Sequence, residues 1–139
     1  MIKRKKELSK GKIYMQKCFD GILLNNNTKT IIHNPKISAV IPVYNCQNTI
    51  KASVRSIQNQ NMAKLEIILV NDNSKDNTSI IIQELAKEDP RIKIIYNKKT
   101  MATLYSRNIG ILHSKGKYIM ILDINDLFLN ADLFDDSYN

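Results

Sequence analysis

ISAVIPVYNCQNTIKASVRSIQNQ (residues 37–60), followed closely by LEIILVNDNSKDN (residues 65–77), is the stretch whose reading decides the fold. ISAVIPV is a short, β-rich apolar run that stops at Tyr44-Asn45. An apolar run of that length, bounded by turn residues, reads as a strand buried on both faces. Behind it, Ile50, Val54 and Ile57 recur at helical spacing over residues 48–60, with Asn48 in the N-cap position. LEIILV (65–70) repeats the strand texture and breaks off into polar residues. Strand, helix and strand in this order predict a right-handed crossover between two parallel strands.

The same alternation continues towards the C-terminus. TSIIIQELAKED (78–89) has helical periodicity and is stopped by Pro90, RIKIIYN (91–97) reads as a third strand, and residues 103–114 as a third helix. Lys115-Gly116-Lys117 then turns into YIMILD (118–123), a fourth strand. The predicted fold class is α/β: a Rossmann-like, mostly parallel sheet with helices on both faces, cut short after the fourth strand. A sheet ending there is expected to leave an open edge and to favour self-association. Towards the N-terminus, NNNTKTIIHNPK (25–36) is turn-rich and reads as a linker. IYMQKCFDGILL (13–24) places Met15, Cys18, Phe19 and Ile22 at helical spacing and predicts a short amphipathic helix. The chain therefore divides into a leader, residues 1–36, and an α/β part, residues 37–139.

Charge follows the same division. Of 139 residues with a net charge of +8, residues 1–36 hold nine Lys/Arg against Glu7 and Asp20, or +7, and residues 37–139 hold twelve against eleven, or +1. From Asp123 onward there are five acids and no base. Aromatic residues make up only 6% of the chain, and none lies near the basic run Lys3–Lys6. That is a poor match to a nucleic-acid platform, which interleaves basic and aromatic residues. The leader reads either as a solvated tail or as a weak tether to anionic membrane or RNA. No apolar run approaches the roughly 20 residues that span a bilayer, and no apolar stretch follows the basic start to make a signal peptide. The expected location is the cytoplasm or the cytoplasmic face of a membrane. Cys18 and Cys46 cannot build a disulfide framework, and together with His33 and His113 they lack zinc-site spacing.

In a parallel sheet, ligands bind beyond the carboxyl ends of the strands, at the crevice where strand order reverses. Three polar loops fall there: Tyr44–Asn48, Asn71–Asp76 and Ile124–Asp126. They converge if the first and fourth strands are neighbours. Asp123 and Asn125, two apart in extended chain, present oxygens on one side, and Asp126 can add a third by turning inward. Hard cations such as Mg²⁺ and Mn²⁺ take such donors and share them with a substrate phosphate. The alternative is that these residues only cap a turn. Asp72, just past a buried strand, can accept from a base N–H such as the imide of uracil, or the loop can serve only to cap the next helix. Arg107, in TLYSRNIGILHS, has a planar guanidinium suited to phosphate or carboxylate, and could also be a plain surface charge.

Taken together, ISAVIPVYNCQNTIKASVRSIQNQ, LEIILVNDNSKDNT and LYSRNIGILHSKGKYIMILDIND resemble the N-terminal half of family 2 glycosyltransferases of the GT-A fold, over about residues 37–128. The resemblance implies transfer of a sugar from a nucleotide-diphosphate sugar, UDP-linked, to an acceptor that the sequence does not name. It implies that Pro42, Val43 and Tyr44 form the first nucleotide-contacting strand end, that Asp72 reads uracil, and that Arg107 is the arginine of the family's Ala-Arg-Asn-x-Gly stretch. Asp123 and Asn125 fall on the Asp-x-Asp positions, whose Mn or Mg ion bridges the diphosphate. Asn125 in place of a carboxylate implies a weakened site. Ala102 stands where glycine is usual, and Asn71 and Asn73 where Asp and Gly are frequent. The family's acceptor-binding half and general base lie farther downstream, so no catalytic base is assigned. A non-catalytic nucleotide-binding module, or an interaction protein that keeps the fold, stays open beside the enzyme.

Overall fold

The structure is a computed structural model that describes residues 34–60 and 64–124, together with residues 2–3 and 23–24. In chain order the elements are β1 (Ile2–Lys3), β2 (Leu23–Leu24), β3 (Ile37–Val43), α1 (Ile50–Gln58), β4 (Leu65–Asn71), α2 (Thr78–Glu88), β5 (Ile92–Tyr96), α3 (Thr103–His113) and β6 (Tyr118–Ile121). The four-strand alternation expected from the sequence is therefore present as β3, β4, β5 and β6, with ends shifted by a residue or two. Asn48 is not the N-cap of α1: that position is Thr49, whose hydroxyl donates to the Cys46 carbonyl instead of capping the helix.

The described strands form one sheet in the order β1-β6-β3-β4-β5-β2. The central four are parallel, with Ile37 opposite both Leu65 and Tyr118, and Ile67 opposite Ile92. The chain steps from β3 to β4 to β5 in one direction, then α3 carries it back to β6 on the far side of β3. Strand order reverses between β3 and β6, and the neighbouring of the first and fourth predicted strands holds.

Alternation along the strands feeds two apolar layers, because successive side chains point to opposite faces. Ile37, Ala39, Ile41 and Val43 of β3, with Leu65, Ile67 and Leu69 of β4, pack against Ile50, Val54 and Ile57 of α1 and Ile82 and Leu85 of α2. Val40, Ile68, Val70 and Ile95 pack against Ile109 and Leu112 of α3. Every residue of β4 is buried, as a central parallel strand requires. Gly110 lets α3 sit down on the sheet: a Cβ there would lie 2.3 Å from Val40 Cγ1.

Two expectations change. β6 is not left open along its whole edge, because Ile2 and Lys3 pair antiparallel with Ile119 and Tyr118. At the opposite edge, Leu23 and Leu24 pair antiparallel with Tyr96 and Ile95. The leader thus supplies backbone partners to both outer parallel strands, and such long-range pairing leaves no periodic signal in a two-residue segment. The helix expected over 13–24 does not reach its predicted end, since Leu23–Leu24 is strand. The rest of that segment, residues 13–22, lies outside the described residues, as do residues 25–33 of the expected linker.

Candidate functional site

The loops after β3 and β4 are stitched into one ledge beyond the carboxyl ends of the strands. The Asn45 amide donates to Ser74 Oγ (3.1 Å), Lys75 N to Asn45 Oδ1 (2.8 Å), Gln47 N to Asp76 Oδ2 (3.2 Å) and Cys46 N to Thr78 Oγ1 (2.9 Å). Asn71 braces the same loop by accepting from the Ser74 amide and donating to Ser79 Oγ. Asn45 and Asn73 take φ of 44° and 59°. Asparagine tolerates that left-handed region better than most residues, so Asn73 can stand where glycine is frequent.

Burial and hydrogen bonding together set the titration of this ledge. Burial tends to raise the Asp76 carboxyl, but hydrogen bonds from the Thr78 hydroxyl and amide and from the Gln47 amide hold it below its ordinary value. Burial pushes the Cys46 thiol up, so it is a poor nucleophile at neutral pH.

At the point where strand order reverses, a cleft is lined by Pro42, Val43, Tyr44, Asp72, Arg107 and Asp123. These are six of the eight site residues expected from the sequence; the other two, Asn125 and Asp126, lie outside the described residues. Thr103, Ser106, Leu122 and Ile124 complete the wall. Tyr44 is 50% exposed, so a ring face is available to a flat ligand. Arg107 comes from the second turn of α3, and its Nε is enclosed with no hydrogen-bond partner. A buried donor without a partner is destabilising unless a ligand or water supplies an acceptor.

Asp72 is nearly covered, and its carboxylate is already engaged. Oδ1 accepts from Asn97 Nδ2 (2.9 Å) and the Met101 amide (2.7 Å), and Oδ2 from the Ala102 amide (3.0 Å). Arg107 is not among these partners. Asn97 Nδ2 also donates to Ser106 Oγ at 3.0 Å. Asp72 therefore holds the loop from β5 into α3, including Ala102 at φ 76° and ψ 164°. That backbone region is used almost only by glycine.

The loop after β5 was absent from the three singled out in the sequence. It stands at the carboxyl end of a strand like the others, and that positional rule alone would have drawn attention to Asn97. Ser106 and Thr103 had no such signal, because their place on the cleft follows from how α3 lies on the sheet.

Asp123 is exposed at the cleft, just beyond β6, and supplies the oxygen donor a hard cation takes. Among the described residues there is no group of three or more His, Cys, Asp or Glu side chains arranged to hold a metal. A cation here would draw on Asp123 and on a phosphate-bearing ligand, a donor set that suits Mg²⁺ or Mn²⁺. No helix among the described residues is long and apolar enough to cross a membrane.

Comparison with known proteins agrees with this geometry. The family described as Glycosyl transferase family 2 matches residues 38–134. A GalNAc(5)-diNAcBac-PP-undecaprenol beta-1,3-glucosyltransferase of Campylobacter jejuni is 36% identical over 100 residues, which is 71% of this chain and 32% of that protein. Among solved structures, S. aureus TarS 1-349 in complex with UDP superposes with a TM-score of 0.64 at 23% identity, covering 70% of this chain and 29% of that one. The mannosyltransferase PcManGT from Pyrobaculum calidifontis, in complex with GDP-Man and Mn²⁺, gives 0.66 at 17% identity, covering 88% of this chain and 36% of that one. At these identities the two structures speak for the fold, which is the GT-A type. The chain spans about a third or less of the length of the first curated relatives it matches. With a match over residues 38–134 and a cleft built where the sequence motifs converge, the chain belongs to glycosyl transferase family 2.

Proposed function

We propose that this chain forms the donor-binding part of a glycosyltransferase, taking a nucleotide-diphosphate sugar whose nucleotide is UDP. The observation that carries the reading is the cleft at the β3–β6 reversal, where Tyr44, Asp72, Arg107 and Asp123 meet and the Arg107 Nε lacks a partner. Each side chain supplies one part of the recognition. Tyr44 offers a ring face to the base, Asp72 an acceptor to a base N–H, and Arg107 a donor to a phosphate oxygen. Pro42 and Val43 add apolar lining to the same cleft. The solved neighbours named with UDP and with GDP-Man support a nucleotide-sugar ligand in this fold.

Asp123, with Asn125 and Asp126 after it, would hold a divalent cation, which when bound supplies positive charge to the departing diphosphate. Asn125 supplies a neutral oxygen where a carboxylate would add charge, so the cation is expected to bind weakly. Arg107 does part of the same work without a metal, holding charge on the leaving group from the wall of the cleft.

The test is calorimetric titration of the chain with UDP, with and without Mn²⁺, alongside Arg107→Ala and Asp123→Ala. Micromolar to millimolar binding that weakens in Arg107→Ala, and a Mn²⁺ response that disappears in Asp123→Ala, are expected. Absence of UDP binding by the folded chain would overturn the reading. UDP binding indifferent to Mn²⁺ would leave a nucleotide module without its cation.

A further inference from the structure

Asn97 has no place in the motifs that identify the family, yet it is 5% exposed and tied to the cleft by both hydrogens of its amide. One goes to Asp72 Oδ1 at 2.9 Å and the other to Ser106 Oγ at 3.0 Å. Its backbone is fixed as well, since the Asn97 amide donates to the Asn71 carbonyl at 2.9 Å. The side-chain orientation is forced, because turning the amide over would set its oxygen against the Asp72 carboxylate. The result is that Asn97 Oδ1 is enclosed without a partner. A buried amide left half satisfied is destabilising, because its desolvated oxygen has no donor. Like the Arg107 Nε, this unpaired atom lies at the cleft, and it points to work done on its neighbour.

That work is visible in the acceptor count on Asp72. Two carboxylate oxygens offer about four lone-pair sites. Oδ1 is filled by Asn97 and the Met101 amide, and Oδ2 holds the Ala102 amide, so one acceptor site remains, on Oδ2. We propose that Asn97, braced by Ser106, is a specificity-setting positioning residue: it fixes Asp72 so that a single open acceptor site selects a nucleobase with a ring N–H over one with a ring acceptor at the same place. Uracil carries the imide N–H, whereas cytosine presents a bare ring nitrogen there. This rests on the reading of the cleft as a nucleotide site. A cation beside Asp72 would erase the discrimination by competing for the same oxygen, and the partners the structure provides are all neutral.

The experiment titrates UDP and CDP against the wild-type chain, Asn97→Ala, Asn97→Asp and Ser106→Ala, with the thermal midpoint of each recorded. The wild type is expected to prefer UDP. Asn97→Ala should lower UDP affinity about tenfold, the scale of one lost buried hydrogen bond, and narrow the UDP-to-CDP ratio. Ser106→Ala, which loosens Asn97 without touching Asp72, should move the ratio the same way by less. Asn97→Asp should weaken UDP most, since it sets one carboxylate against another. A merely structural role would shift the thermal midpoints and leave the ratio alone, so wild-type UDP-to-CDP ratios in the folded variants would overturn the inference. Failure of the wild type to bind UDP would instead overturn the nucleotide reading beneath it, so the two failures are distinguishable.

Discussion

Glu66 lies near the start of β4 and Asp72 one residue beyond its end, both on the face towards α3. Both carboxylates are almost fully buried, at 2% and 4% exposed. Glu66 is neutralised: Lys93 Nζ pairs with Oε2, while Ser38 Oγ (2.6 Å) and the Lys115 amide (2.8 Å) donate to Oε1. Ser38 in turn accepts from the Gly116 amide at 2.7 Å. Asp72 has three donors and no cation. The amino end of the sheet closes its charge internally and locks the α3–β6 turn. The carboxyl end satisfies a carboxylate with neutral groups alone and leaves one of its acceptor sites unfilled. Under the proposed function, the difference separates a carboxylate kept for stability from one kept for recognition.

The largest expected effect comes from breaking the first of these. Glu66→Ala should cost about 3 kcal/mol in denaturant unfolding, the scale of removing one partner from a buried pair, moderated because Lys93 can reach water. UDP affinity of the folded variant should not change; a change would mean that the two ends are coupled. Asp72→Asn should lose about 2 kcal/mol, because the new amide hydrogens must face a donor that the carboxylate accepted. In contrast to Glu66→Ala it should also weaken UDP by more than tenfold, and unchanged UDP affinity would remove Asp72 from the site.

A third carboxylate sharpens the contrast through pH. Asp89, at the amino end, is 9% exposed and paired with Arg91 at 2.9 Å. Burial raises its carboxyl, but the Arg91 side chain and amide and the Gln58 side chain outweigh it and hold it below the ordinary 3.8. A depressed carboxylate stabilises the fold fully above its unfolded value, and the contribution fades as pH falls through the folded one. Asp89→Asn should therefore flatten the acid limb of the stability curve below about pH 4, by about 1 kcal/mol. An acid limb identical to wild type would show that the pairing adds nothing.

The smallest effect is a gain. Ala102→Gly relieves the φ 76°, ψ 164° backbone that Asp72 holds. It should raise stability by about 1 kcal/mol or less, since the greater freedom of glycine in the unfolded chain offsets part of the relief. A loss of stability would show that the alanine methyl packs usefully at the cleft.

The contrast between the two carboxylates was half legible in the sequence. Glu66 inside LEIILV signals a buried charge, but its lysine lies 27 residues away on β5, and no periodicity predicts that pairing. Asp72 was legible as a site residue because it follows a buried strand, yet its partners at 97, 101 and 102 come from the next βα loop. Asn97 reads in the sequence as the last residue of the strand RIKIIYN, whereas β5 ends at Tyr96, and an asparagine at a strand end is equally a common turn residue.

The sequence by itself determined the alternation of four apolar runs with three amphipathic helices, and so the parallel sheet, because periods of 2 and 3.6 are written into residue order. It also marked three of the four strand ends as polar loops, since polar residues must follow where a buried strand leaves the core, but not the loop after β5 that holds Asn97. Only the tertiary structure decided the strand order that brings Asp72, Arg107 and Asp123 to one cleft. The edge pairings of Ile2–Lys3 and Leu23–Leu24, and the filling of Asp72's acceptor sites, were likewise its decision. These depend on contacts between residues far apart in the chain. Hydrogen bonds of that kind are set by distance in space, which residue order constrains only after the fold has formed.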